Sequence, residues 1–179
     1  MLRQLVAMAS GLRSPTLMAK RIVFVSRRNS LRSILAQACL VHLAKDRFAV
    51  VSCGHPRHVS PSIHPAAVGA LRSAGIAVPE VQPRGWNDLA RPGAARVDFV
   101  ITLDEPTQIL EPSWPGQPYS ALWAFPDTAA SANAEDAARA ATLILYGLRR
   151  RLELLISLPL QGADPAAIRS DIRDLGYMD

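Results

Sequence analysis

The sequence predicts an α/β protein with a mostly parallel sheet and helices on both faces, and three observations carry that prediction. Four short apolar runs, at residues 22–25, 48–52, 98–103 and 121–125, read as strands. The first of them is wholly apolar and β-branched or aromatic, as a strand buried on both faces should be. Helical periodicity fills the stretches around these runs. Strands that alternate with helices pair in parallel through crossover connections.

Taken in order, residues 1–19 contain Ser10, Gly11, Ser14 and Pro15 with no sustained period, which predicts a flexible leader. Leu2, Leu5, Val6 and Met8 could form a short amphipathic turn within it. Residues 20–179 are expected to form one domain with a C-terminal helical tail. After the first strand, a polar loop feeds a helix expected to begin near Asn29 and to run over residues 30–45. Ile34, Leu35, Ala38, Leu40, Val41 and Leu43 give it a broad apolar face. The second strand is ended by Gly54 and a loop rich in proline and histidine. Pro65 opens the next helix, which carries Val68 and Leu71 and stops at Gly75. Residues 106–118 are loop-rich with at most a short helix. A long helix is expected from Ala134 to Ser157, capped by Ser131 or Asn133 and closed before Pro159. Asp164 as N-cap and Pro165 at the first position predict a terminal helix over residues 165–175.

A chain of 179 residues, 49% of them apolar, can bury a sizeable core, and this composition excludes a wholly disordered protein. Its apolar runs are broken by charge or proline before they could span a bilayer. Two cysteines, Cys39 and Cys53, give no disulfide framework, so a cytoplasmic setting is expected. The formal net charge of +5 is unevenly spread, with no acidic residue before Asp46. Phe24 is the only aromatic among residues 20–32, which argues against nucleic acid and for a small anion or phosphorylated partner.

One segment concentrates the chemistry. The first strand runs into Ser26, Arg27, Arg28, Asn29, Ser30, Leu31, Arg32 and Ser33 at the start of a helix. A helix N-terminus with free backbone N–H groups attracts a tetrahedral oxyanion, and an arginine fork can grip the same anion. In parallel α/β folds ligands bind at the carboxyl ends of the strands. Asp104 and Glu105 after the third strand, and Asp127 after the fourth, are expected at that same edge.

The spacing Ser26-x5-Arg32-Ser33 resembles the Cys-x5-Arg-Ser loop of the low-molecular-weight protein tyrosine phosphatases and the related thioredoxin-coupled arsenate reductases. Ser52-Cys53-Gly54 is similar to the family's Ser-Ala-Gly. Residues 97–102 resemble the strand leading to its acidic loop, and residues 123–127 its aspartate-bearing segment. The resemblance covers residues 20–157. It implies a flavodoxin-like three-layer αβα sandwich with a four-stranded parallel sheet, and phosphomonoester hydrolysis or arsenate reduction as the ancestral chemistry. By the same resemblance Arg32 is the anion clamp and Asn29 the residue that shapes the loop. Ser33 is the hydroxyl supporting the nucleophile, and Asp127 the general acid. Residues 27–33 together form the anion-binding set, and no cofactor or metal is implied.

The departures set the functional reading. Ser26 stands where the family has its cysteine, and a hydroxyl is far harder to ionise than a thiol. Arg28 stands where glycine is common, so it either remodels the loop or adds charge at its mouth. Leu103 and Leu110 fall where the reductases carry relay cysteines, which excludes a disulfide relay. The sequence therefore reads first as a bacterial-type homologue that binds phosphate, arsenate or a phosphorylated ligand without thiol catalysis. A second reading is an active phosphatase whose cysteine has been exchanged for Ser26. A third is a non-catalytic interaction or oligomerisation module. The spacing of His55, His58 and His64 matches no metal-ligand pattern. Asp104 and Glu105 read as helix-capping or structural acids. Arg149, Arg150 and Arg151 read as a solvated helix face, and the apolar stretch 152–160 as packing for residues 165–175 or a homodimer surface.

Overall fold

A computed structural model describes residues 19–130 and 133–179; the expected leader therefore lies almost wholly outside the described residues, as does Ser131. Four strands, β1 (Lys20–Val25), β2 (Phe48–Cys53), β3 (Phe99–Thr102) and β4 (Tyr119–Leu122), form one sheet in the order β2-β1-β3-β4. All three pairings are parallel. Among the described residues six α-helices accompany them: α1 (Arg32–Ala44), α2 (Pro65–Ser73), α3 (Asn87–Ala90), α4 (Glu105–Gln108), α5 (Ala134–Ser157) and α6 (Pro165–Leu175). The fold is the α/β sandwich that the sequence predicts.

Alternation along β1 explains the layering. Ile22 and Phe24 point into one apolar cluster, and Val23 and Val25 into another. The larger cluster joins that face to α1, α2, α5 and α6 through Ile34, Leu35, Leu71, Leu145, Leu148 and Ile172. Each fully buried aliphatic or aromatic side chain there contributes about 1.5–3 kcal/mol from burial. The opposite face is covered more thinly, by Trp86, Leu89 and Val97 with part-buried Trp114. Here α3, a single turn, does what a long helix does on the other side. Four residues are too few to show a helical period, so no sequence pattern announces it.

Several boundaries differ from expectation, each for a local reason. Helix α1 starts at Arg32, not near Asn29, because Asn29 has a left-handed φ of 49°. Val41, expected on the apolar face, is exposed. β4 begins at Tyr119 and closes at Leu122, yet Trp123 and Phe125 still donate backbone hydrogen bonds to Thr102 and Leu103 of the neighbouring chain segment. The extended run that the sequence signals is real, but its end lies beyond the regular ladder. α5 and α6 match their expected spans, with Asn133 and Asp164 as N-caps.

Arg151 corrects another expectation. It is buried instead of solvated, donating to the carbonyls of Gly147, Leu175 and Met178. Leu152 and Leu155 share the main cluster with Ile168, Ile172 and Leu175, so the apolar end of α5 packs on α6. Among the described residues no helix is long and apolar enough to cross a membrane.

Candidate functional site

Parallel register brings the carboxyl ends of the strands into line: Val25 lies opposite both Cys53 and Thr102, and Thr102 opposite Leu122. Ser26, Gly54, Leu103–Asp104 and the segment reaching Asp127 thus leave the sheet at one edge. This topological edge is where a parallel α/β fold places a ligand.

The loop after β1 is held from outside by its carbonyls. Those of Arg27, Arg28 and Ser30 accept from the N–H groups of His55, Ser60 and His64, at 3.0, 3.0 and 2.9 Å. By contrast, the six successive N–H groups of Arg27 through Arg32 donate to no described residue. Six adjacent donors left open, at the start of the buried 13-residue helix α1, demand an acceptor of their own. Gly54 lets the loop sit this low: a Cβ there would meet Arg27 O, Asn29 N and Ser26 O at 2.8–2.9 Å.

Asn29 organises the interior. Its Nδ2 donates to Ser33 Oγ and Ser52 Oγ, both at 2.9 Å, and its Oδ1 accepts from Arg84 N at 2.9 Å. Ser52 in turn donates to Gln37 at 2.6 Å. Asparagine tolerates the left-handed backbone required here, and its short amide ties three segments at once. Arg28, one residue earlier, has no left-handed backbone, so it carries no glycine-type strain.

Ser26 is 2% exposed and lies 2.7 Å from Ser33 Oγ, while Ser33 N donates to Ser26 Oγ at 3.3 Å. Among the described residues no carboxylate or imidazole bonds to the Ser26 hydroxyl. Nor does a nearby thiol offer itself: burial drives the Cys39 thiol up to about 11 despite the opposing charge of Arg149, with Glu153 adding to the rise. Cys53, fully buried behind the loop, is pushed up further by burial and by Glu111, against Arg84.

Arg32 is 4% exposed, and all its hydrogen bonds to the protein fall on Nη1. That nitrogen donates to Asp104 at 2.8 Å and to the carbonyl of Phe125 at 2.9 Å. Asp104 also caps α4 through Thr107 N. Burial alone would raise the Asp104 carboxyl, but the Thr107 hydroxyl and the Arg32 guanidinium outweigh it and hold the group below the usual carboxylate range. Asp127 accepts from Arg28 Nη1 at 2.7 and 2.8 Å and lies 3.6 Å from Arg32 Nη2. Arg28 thus reaches from the loop to the fourth-strand side. Sequence reasoning brings Ser26, Asn29, Arg32, Ser33 and Asp127 together. It misses Arg84, Gln37 and the Arg28–Asp127 pair, which depend on contacts across 15 to 99 residues of chain.

The histidines have structural contacts. His64 caps α2 by accepting from Ala66 N, and the His55 ring stands edge-on to Trp86 at 5.0 Å. Among the described residues no group of three His, Cys, Asp or Glu is placed to hold a metal ion.

Comparison with known proteins bears on this geometry. A glutaredoxin arsenate reductase of Synechocystis sp. is 30% identical over 108 residues, 60% of this chain and 78% of that protein. A thioredoxin-dependent arsenate reductase of Corynebacterium glutamicum superposes with a TM-score of 0.58 at 21% identity, over 82% of this chain and 63% of that one. An arsenate reductase solved in its oxidized state gives a TM-score of 0.62 at 25% identity, over 77% of this chain and 97% of its own. Residues 21–113, which hold the loop, Asn29, Arg32, Gly54 and Asp104, match the family model described as low molecular weight phosphotyrosine protein phosphatase, and the chain belongs to that family.

Proposed function

We propose that this chain is an oxyanion-binding member of its family that takes phosphate, arsenate or a phosphorylated ligand on the loop from Ser26 to Ser33 and lacks normal thiol-dependent catalysis. The observation that carries the reading is the set of six open N–H groups beside a Ser26 whose hydroxyl, among the described residues, bonds only to Ser33. Those donors, with Nε and Nη2 of Arg32, would bind the anion; Arg27 and Arg28 would add charge at the mouth. Covalent turnover needs an activated nucleophile, and among the described residues Ser26 has no base to take its proton. Asp127, the candidate general acid, is meanwhile engaged by Arg28 and would have to let go before it could serve a leaving group. Leu103 is buried and Leu110 exposed where a redox relay would need thiols, which supports binding over arsenate reduction. Two unpaired cysteines are in keeping with a cytoplasmic protein.

The deciding experiment compares p-nitrophenyl phosphate hydrolysis by the native chain and by Ser26→Cys, with phosphate binding measured by calorimetry. The native chain should bind phosphate and show no turnover above background. Ser26→Cys should gain at least about 10²-fold, since a missing nucleophile costs orders of magnitude. Phosphate affinity no better than that of a folded Arg32→Ala variant would refute the reading, as would turnover by the serine form.

A further inference from the structure

The side of the site built by β1, β2 and the loops after them contains no acid: neither residues 20–45 nor residues 47–79 include Asp or Glu. Asp104 and Asp127, which come from the other side, are each already committed, Asp104 to Arg32 and Asp127 to Arg28. The segment 55–60 is fastened along the rim of the loop by the bonds from His55 N to Arg27 O and from Ser60 N to Arg28 O, both 3.0 Å. It carries Arg57 and His58, both exposed. The His58 ring lies 4.8 Å from that of His55, tilted at 44° to it, and His55 is itself steadied by Trp86. Desolvation of its ring, and then the charges of Arg27, His55, Arg28 and Arg57, hold the His58 imidazole below its ordinary range. The side chains of Arg27 and Arg57 have neither an ion-pair nor a hydrogen-bond partner among the described residues.

One phosphoryl group in the loop would use the backbone N–H groups and Arg32 and leave Arg27, Arg57 and His58 unmatched. The guanidinium charges of Arg27 and Arg57, with no counter-charge among the described residues, cost stability unless a ligand supplies one, and the His58 ring adds a hydrogen-bonding group beside them. Resting on the oxyanion reading above, we propose that Arg27, Arg57 and His58 form a second anion subsite beside the loop, so that the preferred ligand carries two adjacent phosphoryl groups, a compact diphosphate and not a monophosphate. The first phosphoryl lies over the loop and the second is received at the rim.

The test is calorimetric binding of inorganic pyrophosphate and orthophosphate at one pH and ionic strength, for the native chain, Arg57→Ala and Arg57→Lys. Pyrophosphate should bind the native chain about tenfold more tightly than orthophosphate. Arg57→Ala should reduce that preference to about threefold or less with orthophosphate affinity nearly unchanged, and Arg57→Lys should keep most of it. Equal affinity for the two anions, or a proportional loss of both in Arg57→Ala, overturns the second subsite alone. Failure of both anions to bind the native chain overturns the oxyanion reading and this one with it.

Discussion

Asp104 does two jobs with one carboxylate, and the combination can be separated by pH. It caps α4 at Thr107 and pins Nη1 of the buried Arg32. Removing one partner of such a pair strands the other charge, so Asp104→Asn should cost about 3 kcal/mol at pH 7. The folded-state group is held below its ordinary range because Thr107 and Arg32 together override burial. Its stabilisation is therefore complete above the unfolded carboxylate pKa of about 3.9 and is lost as pH falls through the lower folded value. Urea unfolding of native and Asp104→Asn chains should show a gap that is constant from pH 7 to 5 and closes below about pH 4. A gap unchanged at pH 3 would remove the ion pair from the account. At this scale the sequence is partly legible. Ser26, Asn29, Arg32 and Ser33 declare themselves by spacing, whereas the partners of Arg28 and Arg32 emerge only when β3 and β4 are laid beside β1. Arg151 misleads for a related reason: one of three consecutive arginines must face inward on a helix whose C-terminal end is covered by α6, and α6 is outside any local pattern.

Elements position these residues through close approach at a few points, and at the loop after β1 that point is Gly54. The turn after β2 presses its backbone against the loop after β1, so that a methyl group on Gly54 would lie within 3.0 Å of three backbone atoms. Gly54→Ala has no flexible neighbour to displace, so the loop itself must move. It should destabilise by about 2 kcal/mol and abolish phosphate binding while leaving the far-UV spectrum intact. Gly69 in α2 is the internal control, since a methyl there meets nothing within 4 Å. Gly69→Ala should stabilise by about 0.5–1 kcal/mol through helix propensity, with anion affinity unchanged. Equal behaviour of the two variants in calorimetry and urea melts would show that loop spacing is not what Gly54 protects. The contrast also marks what sequence pattern can carry. A glycine after a strand is visible as a stop signal, but whether it ends an element or makes room for another segment depends on packing. The long elements α5 and α6 are legible because caps, prolines and periods agree; α3 is not, because Trp86 and Leu89 act by burial without any repeat.

Across the whole molecule, the site is braced by residues far outside the segment that carries the family match. Arg32 donates to Phe125 O, the Phe125 ring lies 4.7 Å beneath the Arg151 guanidinium, and Arg151 in turn gathers the carbonyls of Leu175 and Met178 at the C-terminal end. Gly147 leaves room for that ring, since a methyl there would meet Phe125 Cε1 at 2.9 Å. Trp123 Nε1 ties the same segment to Ile172 O at 3.0 Å. Trp123, Phe125 and Arg151 with residues 172–178 thus form a brace from the loop after β1 to the C-terminal end, assembled by long-range contacts that residues 21–113 could not supply. Arg151→Ala should remove three hydrogen bonds to backbone carbonyls and cost about 3 kcal/mol, at roughly 1 kcal/mol for each lost bond. For a chain of this size that corresponds to a fall in Tm of about 6–12 °C. Because Phe125 loses its cover, phosphate affinity should fall with it; Arg151→Lys, lacking the planar fork, should restore only part of either quantity. An exposed arginine of the same tail, Arg173, offers the comparison: Arg173→Ala should shift Tm by about 1 °C or less and leave binding alone. If Arg151→Ala melts early but binds phosphate at native affinity below its Tm, the brace supports the fold without reaching the loop, and the anion site is complete within the strand edge alone.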